Sequence, residues 1–211
     1  MIILKQYCVT IAREFGSGGR LIGRRLAEEL GIDFYDRELI ALAAAETGFA
    51  EDYIGEVENE KTSRLCFGPY AHNFPIVTAF NTGQSVSAQE QVFLAQSAII
   101  RRLAAEKSCV IVGRSADYVL RDKICCAHVF IHAPLEYRVR FAQEHYGETR
   151  SDLDAYIKRQ DKRRSNYCRY FTQRKWGASH NYHLCLDSSV GLDSSVRILE
   201  NFAREFLRRL S

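Results

Sequence analysis

The chain lacks several features that would fix its class quickly. It has no CxxC pair, and no apolar run approaches the roughly 18 residues that span a bilayer. It has no internal repeat and no low-complexity linker. Seven cysteines (Cys8, Cys66, Cys109, Cys125, Cys126, Cys168, Cys185) show no metal-ligand spacing, which argues against a zinc ribbon or a dithiol redox motif. Their odd number, with no secretion signal ahead of them, predicts a reducing, cytoplasmic setting. "MIILKQYCVTIA" turns polar too soon for a signal peptide and reads as a buried first strand. A net charge of only +3 over 211 residues offers no global surface for nucleic acid, so no stable nucleic-acid partner and no membrane is expected.

What charge there is lies in one place. Eight Lys/Arg and a single acid, Asp161, fall between Lys158 and Lys175, a local charge of +7 that leaves −4 for the rest of the chain. Most such runs are solvated helix faces; this contrast favours an anionic partner.

Strand-like and helix-like segments alternate, the pattern of a parallel sheet covered on both faces. Apolar strands are predicted at 6–12, around 32–36, at 108–114, at 127–133 and within 181–189. Helices are predicted over 20–31, 37–48, 87–107, 134–147, about 151–172 and 193–210, several ending at glycine. Ser87 followed by Glu90 predicts a capping box. Residues 49–87 mix Gly, Pro, Asn and aromatics without a clean period and exceed an ordinary loop. They are expected to form a small inserted lobe or substrate flap, or else an irregular excursion. The fold class expected is a single three-layer α/β/α domain over 1–211 with a five-stranded parallel sheet, the insertion at 49–87 and a basic helical segment within 150–176, which the resemblance described below reads as a lid.

Ligands in such sheets bind at the carboxyl ends of the strands. Three suggestive stretches lie there: residues 16–20 after the first strand, 36–38 after the second and 113–117 after the third. In the first, "REFGSGGRLIG", Gly16 and Gly18 fit a dinucleotide fingerprint but Leu21 stands where its third glycine belongs. Against a Walker loop, Gly19 replaces the lysine and Arg20 the Ser/Thr. The physics is more favourable than the pattern. Gly16, Gly18 and Gly19 can adopt positive φ and turn amides inward, and a helix opening at Gly19 or Arg20 presents unpaired N–H groups. Ser17 adds a hydroxyl donor, and Arg13 and Arg20 flank the turn. The alternative is a glycine-rich connection with solvated arginines.

"VTIAREFGSGGRLIGRRLAEELGIDFYDRELI", "VIVGRSADYVL", "HVFIHAPLEYRVR", "DKRRSNYCRYFTQRKWG" and "NYHLCLDSS" together resemble the cytidylate kinase-like family, a divergent branch of the P-loop nucleoside monophosphate kinases. The resemblance runs from Val9 to about Ile198, in order. It implies transfer of the γ-phosphoryl of ATP to a nucleoside monophosphate such as CMP or dCMP, with Mg²⁺ expected, in a monomer or homodimer. It implies that Gly16, Ser17, Gly18, Gly19 and Arg20, with Arg13, hold the donor phosphates, Arg20 standing in for the lysine. Gly113 and Arg114 look like the Gly-Arg of a GRD element, placing Arg114 near the acceptor phosphate; Ser115 stands where its acid belongs, and Asp117 follows. Asp36, with Arg37 and Glu38, falls where the acceptor-binding helix begins. Asp161 and Arg164 fit the lid's D-x-x-R spacing, and Arg159 and Arg163 are candidate arginine fingers. "CVIVGR" carries no Walker B carboxylate, so the metal ligands stay unassigned. Two other readings stand beside the kinase: a non-catalytic nucleotide sensor, and a kinase with a non-nucleotide acceptor.

Lesser candidates are read as packing. His180, His183 and Cys185 are expected in strand-and-loop packing, and Cys125 with Cys126 at the start of a core strand. Trp176, Tyr167, Tyr170 and Phe171 either stack on a base or anchor the lid.

Overall fold

The computed structural model describes residues 6–36, 39, 41, 42, 45, 48, 87–123 and 125–209. It divides into two compact units: residues 1–36 with 100–211, and residues 37–99.

The first unit is built on five parallel strands: β1 (Cys8–Arg13), β2 (Asp33–Tyr35), β3 (Cys109–Val112), β4 (Cys126–His132) and β5 (Leu184–Asp187). Their spatial order is β2-β3-β1-β4-β5. Cys8 pairs with both Cys109 and Cys126, so the three central strands start level. All carboxyl ends therefore open on one edge. β1, β3 and β4 are buried along nearly their whole length, which is why they read as unbroken apolar runs.

Side chains alternate across the sheet. Val9, Ile11, Val110, Val112, Val129 and Ile131 pack with helices α1 (Gly19–Leu30) and α6 (Leu192–Arg208) through Ile22, Leu26, Val196 and Leu199. The opposite face carries Cys8, Thr10, Cys109, Cys126, His128 and Phe130. Phe130 meets Trp176 edge-on at 5.2 Å and Tyr182 at 5.1 Å. The Trp176 ring thus packs edge-on against the sheet.

Helix α2 (Ala88–Glu106) carries the expected capping box: Glu90 N–H donates to Ser87 Oγ at 3.2 Å, and Ser87 N–H to Glu90 Oε2 at 2.9 Å. A one-turn helix, α3 (Ala116–Val119), follows β3 and is too short to announce itself by period. Helices α4 (Leu135–Tyr146) and α5 (Leu153–Thr172) form a second core through Ala142, Leu153 and Ile157, onto which Phe15 and Tyr156 pack. The five strands and the helices α1, α2, α4, α5 and α6 lie within one or two residues of their expected places at most ends. Of the expected helix over 37–48, Leu39, Ala41, Leu42 and Ala45 are described as helical, and Gly48, with φ of 73°, is not. The proposed insertion, apart from Ser87, lies outside the described residues, as does Arg37.

Candidate functional site

The loop between β1 and α1 is held from several sides. Gly16 and Gly18 have φ of 78° and 73°, the left-handed region expected of them. A Cβ at Gly16 would lie 2.5 Å from the backbone oxygen of Arg138, so no side chain fits there. Gly19 differs from expectation. Its φ is not positive; it opens α1, and a Cβ there would stand 2.7 Å from Cβ of Arg13. Gly19 makes room for Arg13 rather than turning the chain.

Ser17 also corrects its expected role as a donor to a ligand. It is buried, and its hydroxyl donates inward to the carbonyl oxygens of Glu14 at 2.9 Å and Ile131 at 3.3 Å. Ser188 Oγ donates to Ser17 O at 2.7 Å from behind. What the loop offers outward is the N-terminal end of α1, with no acid in its first turn and no side-chain cap.

Arginines gather around this end. Arg13 leaves the last position of β1 and passes between Gly19 and Gly113; a Cβ on Gly113 would lie 2.1 Å from its Nη1. Its Nη2 lies 3.5 Å from Asp36, and Arg20 Nε lies 2.7 Å from the other oxygen of that carboxylate. Asp36 is buried and serves as counter-ion to both arginines. Arg164 donates from Nη1 to Arg13 O at 2.9 Å, with its guanidinium 5.6 Å from the Phe15 ring centre. Burial, aided by the nearby charges of Arg164 and Arg114, pushes Arg13 down to about 9, still a cation at neutral pH. Burial likewise lowers Arg164, with Arg114 acting in the same direction. Four arginines from β1, α1, the turn after β3 and α5 thus share one region with the buried carboxylate of Asp36, and Asp161 acts on Arg164 from α5.

The turn after β3 is strained. Gly113, Arg114 and Ser115 have φ of 83°, 56° and 49°, three left-handed residues in succession, two of them carrying side chains. Non-glycine residues in this region cost of order 1–3 kcal/mol each and persist where surrounding structure dictates them. Here the turn delivers Arg114 to the arginine group.

Other expected site residues fall elsewhere. Asp161 lies on α5 facing the loop, but it is fixed there: its Oδ1 accepts Phe15 N–H at 2.7 Å and its Oδ2 pairs with Arg138. Arg159 pairs with Asp152 at 2.7 Å on an exposed surface, so the structure does not bring it to the loop. Arg163 is half-buried on the same helix. Asp117 is buried in α3; burial pushes it up to about 6, opposed by the nearby charge of Arg174. Two residues went unnoticed in the sequence. Arg138 is one, reading as one of several charges on an ordinary helix. Tyr146 is the other: burial raises its hydroxyl, and Arg13, Arg164 and Arg20 all act on it.

No group of three or more His, Cys, Asp or Glu among the described residues is arranged to hold a metal ion. Ser17 is turned inward, and Asp36 is engaged by two arginines. No helix among them is long and apolar enough to cross a membrane.

A parallel sheet in this strand order, with a glycine-rich turn into a helix after its central strand, defines the P-loop kinase fold. The chain matches the cytidylate kinase-like family over residues 8–190 and belongs to that family. Among solved structures, an uncharacterized protein from Eubacterium ventriosum ATCC 27560 has a TM-score of 0.66 at 24% identity, covering 94% of this chain and 99% of its own. A shikimate kinase from Acinetobacter baumannii in complex with shikimate has a TM-score of 0.53 at 15% identity, covering 96% of each chain. A gluconokinase from Sinorhizobium meliloti 1021 has a TM-score of 0.54 at 18% identity, covering 98% of this chain and 94% of its own. These likenesses concern the fold. No curated protein matches the sequence.

Proposed function

We propose that the protein transfers the γ-phosphoryl group of ATP to a small acceptor, a nucleoside monophosphate such as CMP or dCMP. One observation carries this reading: Arg13, Arg20, Arg114 and Arg164 converge on the open helix end behind the glycine loop, with Asp36 buried among them. Phosphoryl transfer consists largely of positioning and charge neutralisation, and arginine forks at a helix N-terminus supply both. The loop around Gly16, Gly18 and Gly19 would receive the donor phosphates. Arg114, Asp117 and Asp161 fall to the acceptor side by family resemblance, and Arg163 and Arg159 remain finger candidates that would have to move in. Arg20 is held closely by Asp36 and Arg13 more loosely, so Arg13 and Arg164 stand beside Arg20 as candidates to replace the missing lysine. Magnesium would arrive with the nucleotide, keeping its waters and phosphate oxygens as ligands.

A second reading, a nucleotide sensor without turnover, is favoured by the inward Ser17 hydroxyl and by the pairing of Asp36 with Arg13 and Arg20. Coupled ADP release, measured across CMP, dCMP, other nucleoside monophosphates, shikimate and gluconate, separates the two. Acceptor-dependent ADP release with CMP or dCMP supports the proposal. Nucleotide binding with no turnover on any acceptor favours the sensor. Turnover on a sugar or carboxylic acid alone would replace the nucleotide acceptor.

A further inference from the structure

Directly behind the arginine group lies a second cluster with the opposite charge balance. Arg138 of α4 is 8% exposed and reaches the loop from 123 residues away in sequence. Its Nη1 donates to Phe15 O at 3.2 Å and also pairs with Asp161 Oδ2. Its Nε lies 3.4 Å from Glu14 Oε2, which in turn accepts Ala133 N–H at 3.2 Å. Its backbone oxygen is the atom that excludes a side chain from Gly16. Asp161 closes the ring by accepting Phe15 N–H at 2.7 Å. Residues 14, 15 and 16 of the loop thus all rest on one arginine, and the Phe15 peptide is held at both its N–H and its C=O.

This cluster contains one cation and two carboxylates. Each carboxylate has a neighbour in the front cluster: Glu14 follows Arg13 in the chain, and Asp161 stands three residues before Arg164 on α5, within reach on one helix face. Left without Arg138, each partly buried carboxylate keeps one backbone N–H but loses its cation, and the cations nearest along the chain are then Arg13 and Arg164.

We propose that Arg138 is a positioning residue for the anion site: by holding Glu14 and Asp161 it keeps Arg13 and Arg164 available to a phosphate, and it sets the backbone of the loop that receives it. The inference rests on the anion-binding reading above and adds to it a division of charge between the two sides of one loop. A lysine would not serve, because one ammonium cannot reach Phe15 O, Glu14 and Asp161 with a fixed fork.

The test titrates inorganic pyrophosphate and ADP into the full chain by calorimetry, for wild type, R138M, the double variant E14Q/D161N, and the triple variant R138M/E14Q/D161N. R138M is expected to weaken pyrophosphate roughly tenfold or more, the scale of one charge-assisted interaction. The triple variant, with no carboxylate left to compete but the Phe15 carbonyl still unheld, is expected to recover most of the affinity that R138M loses while staying below wild type. The double variant, which keeps Arg138, is expected to bind at least as tightly as wild type. A residue that only supports folding, or one that touches the anion itself, would leave the triple variant as weak as R138M, and that result overturns the proposal. So does an R138M protein that binds like wild type.

Hydrogen exchange without ligand gives a second readout. The Phe15 amide is expected to exchange roughly tenfold faster in R138M while the amides of β1 are unchanged; an unchanged Phe15 amide overturns the clamp. If R138M does not fold, R138K takes its place, with weaker pyrophosphate binding expected and equality with wild type decisive against the idea. A wild type that binds neither pyrophosphate nor ADP overturns the anion site itself. A wild type that binds, matched by R138M, removes only the part assigned to Arg138.

Discussion

The two ends of the same sheet differ in almost every chemical respect. At the amino end, Cys8, Cys109 and Cys126 start three adjacent strands side by side, all buried, with Cys8 and Cys109 sulfurs 3.8 Å apart. Hydrogen bonding to Cys8 and burial push the Cys109 and Cys126 thiols up. At the carboxyl end the strands terminate in a glycine turn, a strained turn and a cluster of arginines. The strands between are equally apolar, so the difference lies in what the chain does on leaving them. One end fills space. The other holds charge and unpaired backbone donors in a partly buried setting, at a cost in strain and desolvation that only a ligand would offset. That asymmetry locates the chemistry, and it can be broken at either end.

The largest effect is expected at Gly16. Gly16→Ala must place a Cβ against the Arg138 carbonyl at positive φ, and should lower stability by about 2–3 kcal/mol and weaken pyrophosphate at least roughly a hundredfold. Thermal melting and calorimetry together check this, and retained affinity would show that the loop does not contact the anion.

The next effect is a matter of pH. His128 is buried, with Thr10 Oγ1 2.7 Å from its Nδ1 and the His183 ring stacked at 5.0 Å. Burial, with the His183 and Arg174 charges, lowers it to about 4. The unfolded chain therefore binds the extra proton first, between its ordinary value near 6.5 and about 4. Stability should rise with pH through that window, by about 3 kcal/mol in all. Urea unfolding from pH 4 to 7 measures it, and His128→Gln should flatten the slope.

Arg114→Ala comes third. It removes one cation from the anion cluster and should raise the acceptor KM about tenfold or more, with nucleotide affinity less affected. A change confined to ATP affinity would move Arg114 to the donor side. The smallest effect belongs to the amino end: Cys8→Ala should cost about 1 kcal/mol of stability and leave pyrophosphate affinity unchanged. A shift in affinity there would mean that the two ends are not separate in function.

Much of the fold could be read from the chain because its signals are local. β1, β3 and β4 are apolar runs, α1 carries its stripe between Gly18 and Gly31, and α2 its capping box. The glycine loop was also legible, including the left-handed turns at Gly16 and Gly18. What escaped was set by distant neighbours. Gly19 does not use the positive φ open to it, because the reason for it, the side chain of Arg13, emerges only when β1 and α1 fold together. Ser17 reads as a ligand donor because nothing in a sequence says that carbonyls lie behind it. Arg159 and Arg164 belong to one basic run, yet only Arg164 sits on the side of α5 that faces Arg13. Arg138 was the hardest to see: an arginine in "LEYRVRF" has no local mark of being buried, and two carboxylates from separate elements are what make it so.

The most direct test is calorimetric titration of ATP, ADP and pyrophosphate into wild type and into an Arg13→Ala, Arg164→Ala double variant. Saturable binding of all three by the wild type, weakened at least roughly tenfold in the double variant while both proteins melt cooperatively, is the predicted result. No binding by the wild type, or equal binding by both proteins, would contradict the assignment of this arginine cluster as a phosphate site.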